Sequence, residues 1–102
     1  MVIAMFKTVK REDINAAEYQ KAVARMMDLV TKMPGFVSLK GCTTDDGETF
    51  SMATFDSEEA LEAWRSHPEH RATQRRGYEE FYDSLWVKVC NVVREYEWTR
   101  ST

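Results

Sequence analysis

Apolar side chains recur along this chain with two different periods, and the switches between them mark out six elements. Val2 to Val9 is rich in β-formers and predicts a first strand. The polar stretch Lys10–Asp13 predicts a turn. Asn15 stands three residues before Glu18, the spacing of a capping box, and predicts the start of a helix. From there Tyr19, Val23, Met26, Val30 and Met33 recur at steps of three and four, with Ala22, Met27 and Leu29 widening the stripe. Such a helix is amphipathic and has one core face. Pro34-Gly35 ends it, because neither residue continues a helix at low cost.

Phe36–Cys42 and Glu48–Phe55 predict the second and third strands. Asp46-Gly47 between them is a strong hairpin signal, so these strands should be antiparallel neighbours. Asp56 and Glu59 repeat the capping-box spacing and predict a helix from Ser57, with Ala60, Leu61 and Trp64 on its buried side. Pro68 pushes His67 out of the α region and predicts a break there. A further helical stretch is expected from about Glu69 to Tyr82, with Tyr78, Phe81 and Tyr82 at its end. The last strand, about Leu85 to Trp98, should be the longest, with a bulge near Asn91 where its alternation shifts.

This order, β-α-β-β-α-β, predicts a single α+β domain over residues 1–102: a four-stranded antiparallel sheet with helices on one face. Phe50 and Met52 point to one side of the third strand, and Ser51, Ala53 and Phe55 to the other. Both faces therefore carry apolar side chains, and the helices can cover only one. A symmetric second copy is the simplest cover, which predicts a homodimer. A chain of this length buries roughly 60–65% of its unfolded surface, so burial between copies would add to its stability. A last strand that outruns its own sheet also asks for something to pair with or cover.

Composition narrows the function classes. The net charge is −3, and no run of Lys or Arg makes a basic stripe, so nucleic acid is not an expected partner. The uncharged apolar stretch Val2–Phe6 is too short for a signal-peptide core or a bilayer span, so no membrane is expected and a cytoplasmic location is. Cys42 and Cys90 form no CxxC and are expected to be reduced, buried, small hydrophobes. With two histidines and no HExxH, no dedicated metal site is expected.

Three segments carry a family resemblance. Met33-Pro34-Gly35-Phe36-Val37-Ser38, then Asp56-Ser57-Glu58-Glu59-Ala60-Leu61-Glu62-Ala63-Trp64-Arg65, then His67-Pro68-Glu69-His70-Arg71, in this order, resemble the antibiotic biosynthesis monooxygenase domain. The resemblance covers essentially the whole chain. It implies a ferredoxin-like protomer, two of which pack sheet to sheet as a dimeric α/β barrel. It also implies, in one branch, a cofactor-independent oxygenase that converts an electron-rich aromatic to a quinone with molecular oxygen. Another branch degrades haem, using a histidine nine or ten residues after the helical tryptophan and an asparagine on the first strand. Here those positions hold Thr73 and Gln74, and Val2–Val9 contains no Asn. In the anthrone-oxidising branch, aligned on Ser57-Glu58-x-Ala60, the active-site arginine falls on Arg75. That branch's tryptophan, tyrosine and asparagine become Phe55, Leu61 and Ser51.

Oxygenation without a cofactor needs a base, an apolar pocket that excludes water, and a cation near developing negative charge. His70 is the candidate base, since histidine titrates near neutrality. Arg75 is the candidate oxyanion holder, and Trp64 completes the catalytic set. Phe36, Phe55, His67, Arg71 and Tyr82 are the candidate substrate-binding residues. Each has a plain structural role beside the chemical one. Trp64 fits a core position, His67 a cap before proline, His70 a surface site, Arg71 and Arg75 a solvated helix face, and Tyr82 a packing contact. The competing function is a non-catalytic ligand-binding or stress-related dimer using the same scaffold.

Overall fold

The structure is a computed structural model and describes residues 1–101. β1 (Val2–Lys10) is the spine of the sheet, antiparallel to β3 (Thr49–Phe55) on one side and to β4 (Tyr82–Asn91) on the other. β2 (Phe36–Thr43) pairs antiparallel with β3, giving the order β2-β3-β1-β4. With α1 (Ala16–Val30), α2 (Glu58–Arg65) and α3 (Pro68–Arg76) this is the ferredoxin-like β-α-β-β-α-β topology, with the second helix broken in two. The break falls where expected: Pro68 is the first residue of α3 and His67, extended, is its N-cap.

Register explains the core. Val2 faces Phe55 and Ala4 faces Ala53 across β1 and β3, and these four meet Val30, Leu61 and Trp64 from the helices. Met33 and Phe36 pack against the same cluster. The other face carries Met5 beside Met52 and Lys88, and Lys7 beside Phe50 and Trp86. Among the described residues no helix lies over it.

Asn15 caps α1 by accepting from the Glu18 N–H at 3.1 Å. The reciprocal half of the box is replaced by ion pairs from Glu18 to Lys21 and Arg76. Gly35 adopts φ +82°, a value that suits glycine, and its carbonyl accepts from the Asp56 N–H at 2.8 Å. This joins the end of α1 to the start of α2.

Six expectations need correction. The cap of α2 is Ser57, not Asp56: its hydroxyl accepts from the Ala60 N–H at 3.1 Å. The last helix stops at Arg76, and a π-helical turn, Gly77–Phe81, leads into a strand that begins at Tyr82. The strand ends at Asn91 rather than Trp98, because β1, its one neighbour, runs out at Val2, opposite Asn91. The register shifts lie between Val9 and Lys10 and between Phe36 and Ser38, not near Asn91. Cys42 and Cys90 are free thiols, but Cys42 is half-buried and Cys90 exposed, since their strands bring them to the uncovered side. Val23 and Met27 of the α1 stripe are exposed too, so that stripe is wider than the sheet it covers.

Among the described residues no helix is long and apolar enough to cross a membrane. The radius of gyration is 15.2 Å, against roughly 13 Å for a compact chain of this length.

Candidate functional site

The α2–α3 junction gathers Trp64, His67 and His70. Trp64 sits on the buried side of α2 because Leu61 and Trp64, three residues apart, share a helix face. The chain then turns, and the Trp64 carbonyl accepts from the His67 N–H at 3.1 Å. His67 Nδ1 accepts from the Glu69 N–H at 3.1 Å, so this ring caps α3 through an unprotonated nitrogen. Arg25 grips both Glu69 carboxylate oxygens at 2.8 Å and ties α1 to the first turn of α3. That bond holds Glu69 below its ordinary carboxylate range and raises Arg25.

His70 returns over the same tryptophan. Its ring stacks on the indole with centroids 4.3 Å apart and planes 16° from parallel. Its Nδ1 lies 3.1 Å from the Trp64 carbonyl oxygen. A carbonyl only accepts, so Nδ1 carries the proton, and the neutral ring keeps its lone pair on Nε2. Burial pushes His70 below the ordinary histidine value; the Trp64 hydrogen bond opposes this, and the nearby Arg65 charge assists it. The outcome is a half-buried imidazole that is neutral at neutral pH and basic at one defined atom.

The other candidate residues separate into groups. Phe55 is fully buried and meets Phe36 edge to face at 5.9 Å, so both belong to the core beneath Trp64. Tyr82 joins a second aromatic group with Tyr19 (6.1 Å) and Phe81 (6.3 Å) near the π-helical turn. Burial raises the Tyr82 phenol well above its ordinary range, with a Tyr19 hydrogen bond assisting. Arg71 and Arg75 are exposed and enter no ion pair among the described residues. The engaged arginine is their neighbour Arg76, which bonds Glu80 at 2.7 Å and lies 5.0 Å from the Phe81 ring centroid.

Two recesses in the surface of the described residues are lined without a histidine. One, of about 220 Å³, opens on the uncovered sheet face among Met5, Lys7, Thr44, Glu48, Phe50 and Trp86, with a Lys7–Glu48 ion pair beside it. The other, about 370 Å³, is a shallow groove between the Pro34-Gly35 turn and α2. Sequence reasoning missed the first recess as a feature. Its signal was the parity of Phe50 and Met52, which placed them away from the helices. The Arg25–Glu69 bond, between residues 44 apart, left no readable signal. No cluster of three or more His, Cys, Asp or Glu that could hold a metal ion occurs among the described residues.

The topology with its α2–α3 break defines a ferredoxin-like protein with a histidine-bearing helix junction. The chain belongs to the antibiotic biosynthesis monooxygenase family, whose model matches residues 1–76. It is 33% identical over 91 residues to the uncharacterized protein YqjZ of Bacillus subtilis, covering 89% of this chain and 78% of that one. Its fold matches SnoaB, a cofactor-independent oxygenase of Streptomyces nogalater in its N63A mutant form, with TM-score 0.70, 14% identity, and 92% and 93% of the two chains covered. It also matches a dimeric ferredoxin-like protein of unknown function from Jannaschia, with TM-score 0.74, 16% identity, and 89% and 98% covered.

Proposed function

We propose that this protein is a cofactor-independent monooxygenase that oxidises an electron-rich aromatic, a hydroquinone or polycyclic phenol of the anthrone kind, to a quinone, and that it works as a homodimer in the cytoplasm. Family membership supports monooxygenation in general. The carrying observation is His70: a neutral imidazole with Nδ1 tied to the Trp64 carbonyl presents Nε2 as the base.

The chemistry balances without an external reductant. Nε2 takes a proton from the substrate, and the resulting anion is electron-rich enough to reduce molecular oxygen. For an anthrone the carbon–oxygen bond then forms at the CH2 carbon, the O–O bond breaks, one oxygen atom stays as the new carbonyl, and the other leaves as water with the two hydrogens lost from that carbon. A hydroquinone, which already holds both oxygens, instead passes two electrons and two protons to oxygen and gives the quinone and hydrogen peroxide. The imidazolium of His70 returns its proton to the departing oxygen. In this reading Trp64 orients the base and Arg75 holds negative charge on the substrate oxygen. Phe36, Phe55, His67, Arg71 and Tyr82 remain proposed contacts for the aromatic.

One observation favours a second reading. Phe55 and Trp64 fill the space beneath the helices as core, which suits a non-catalytic ligand-binding dimer whose ligand lies elsewhere. Oxygen uptake by the purified protein decides between the two, measured against hydroquinones and anthrones with no flavin, haem or metal added. Uptake that tracks quinone formation and falls at least tenfold in His70→Ala is expected. A rate equal to the substrate's own autoxidation across the panel would overturn the enzyme reading.

A further inference from the structure

α3 is held in place differently from the rest of the fold. None of its nine residues is buried, and a helix this short draws little stability from its own hydrogen bonds. Packing therefore does not fix where it sits, and polar contacts have to. At its start, Arg25 of α1 donates from Nε and Nη2 to the two Glu69 carboxylate oxygens, both at 2.8 Å. At its end, Arg76 lies 3.6 Å from Glu18 of α1, but its short bond, 2.7 Å, goes to Glu80 in the following turn. Between these ends the His70 ring rests on Trp64 of α2.

The Arg25–Glu69 contact has the geometry to position. A guanidinium that meets both oxygens of one carboxylate fixes orientation as well as distance, which a point charge does not. Both side chains are about half exposed, 51% and 47%, so the pair adds little to global stability. Its reach is local. Glu69 directly precedes His70, and its backbone N–H is the donor that His67 Nδ1 accepts from at 3.1 Å. One residue thus links α1, the cap of α3 and the residue whose ring must meet Trp64. The tolerance there is narrow. A bond of 3.1 Å to the Trp64 carbonyl keeps the His70 proton on Nδ1. Moving the first turn of α3 outward by about 1 Å takes that distance out of bonding range. The proton can then pass to Nε2, where it blocks the base.

We propose that Arg25 and Glu69 are positioning residues for His70: their two-pronged bond sets the first turn of α3 so that Nδ1 meets the Trp64 carbonyl and Nε2 stays unprotonated. This rests on the reading of His70 as the base. Arg25 acts through Glu69, and Glu69 through the backbone it shares with His70.

The test is nitrogen NMR of the histidine rings in the intact protein, at a pH where both are neutral, which reads the nitrogen that carries each proton. The chain has two histidines, and His70→Gln assigns their signals. Wild type should show opposite patterns, Nδ1–H for His70 and Nε2–H for His67. In Arg25→Ala and in Glu69→Ala the Nε2–H form of His70 should become the major one, with the fold unchanged by circular dichroism. The double variant should go no further than either single change, since one contact can be lost only once. Lys32→Ala removes another exposed ion pair of α1, to Asp28 at 2.9 Å, and should leave the His70 pattern as in wild type. In oxygen uptake, kcat of Arg25→Ala should fall at least about tenfold, with KM changed less than about threefold. The ring readout needs no turnover. A His70 ring that keeps Nδ1–H in both single variants, or that Lys32→Ala changes as much, would overturn the positioning role alone. A wild-type His70 with its proton on Nε2 would remove the base reading and this one with it.

Discussion

Trp64 is where core and site meet, so its removal separates the two roles. The indole is buried among Phe55, Leu61 and Val30, and its outer face stacks on His70. Truncating a buried tryptophan to alanine costs about 3–5 kcal/mol, and losing an aromatic stack adds roughly 0.5–1.5 kcal/mol. Trp64→Ala should therefore lose about 4–6 kcal/mol, much of the roughly 5–15 kcal/mol that holds a domain together. At about 4–8 °C per kcal/mol, Tm should fall by roughly 15–50 °C. Trp64→Phe keeps a ring under His70 and should lose only about 1–2 kcal/mol. Urea unfolding followed by far-ultraviolet circular dichroism measures both, at one fixed protein concentration so that association does not enter. The second readout is the His70 ring in a proton NMR titration. Burial is what lowers its pKa, so the smaller ring of Trp64→Phe should let that value rise toward the ordinary one. A Trp64→Ala chain that loses less than about 2 kcal/mol would refute the packing account. A His70 titration unmoved in Trp64→Phe would refute burial under the indole as the cause.

Stability should also depend on pH through His70. Its pKa is lowered on folding, so the unfolded chain binds the proton more readily, and the contribution is full above the unfolded value of about 6.5. It is lost as pH falls through the lower folded value. The urea midpoint should drop on acidification in wild type and less so in His70→Gln, and equal slopes would refute this. His67→Ala removes the α3 cap and should cost about 1 kcal/mol by thermal unfolding. An added Cβ on Gly35 would lie 2.5 Å from Asp56 Oδ1 and 2.6 Å from the Ala60 Cβ, at φ +82°. Gly35→Ala should thus cost about 2–5 kcal/mol. Gly41→Ala, with open space around it, should stay within about 0.5 kcal/mol.

The legible parts of this fold are those written in local periodicity. The Asp46-Gly47 hairpin and the break at Pro68 depend on neighbours within a few residues, and each stands where the pattern places it. The α1 stripe is there too, but the helix closes at Val30, short of Met33, and Val23 and Met27 are exposed. The strand end at Asn91 was not legible, because it is set by where β1 stops, at Val2, near the other end of the chain. Ser57 displaced Asp56 as the cap because both have capping chemistry, and the choice rests on backbone direction after Phe55. At the site, His67 and His70 could be nominated from the sequence, but their different jobs could not. One nitrogen faces a helix N-terminus and the other a carbonyl, and that depends on how the chain turns between α2 and α3. The grouping of Tyr82 with Tyr19 was hidden for the same reason: it needs α1 and β4 side by side.

The position of His70 constrains any substrate. Beneath it Trp64, Phe55 and Phe36 belong to one packed core, with Phe36 and Phe55 edge to face and the Trp64 indole stacked on His70. An aromatic substrate therefore has two routes to Nε2. It lies against the exposed edge of the α2–α3 junction, or it displaces part of the core. Displacement would forfeit packing of the size worked out for Trp64, several kcal/mol, before any binding contact forms. Approach from the edge costs no packing, but it leaves the site open to water, which an anion that must reduce oxygen does not tolerate well. Closing that edge needs further apolar cover. In the homodimer reading the second copy lies on the opposite, helix-free face of the sheet, so it does not supply that cover, and the α2–α3 junction must shield its own substrate. A monomeric variant should therefore keep its oxygen uptake, and a loss of uptake that follows the loss of association would refute this account.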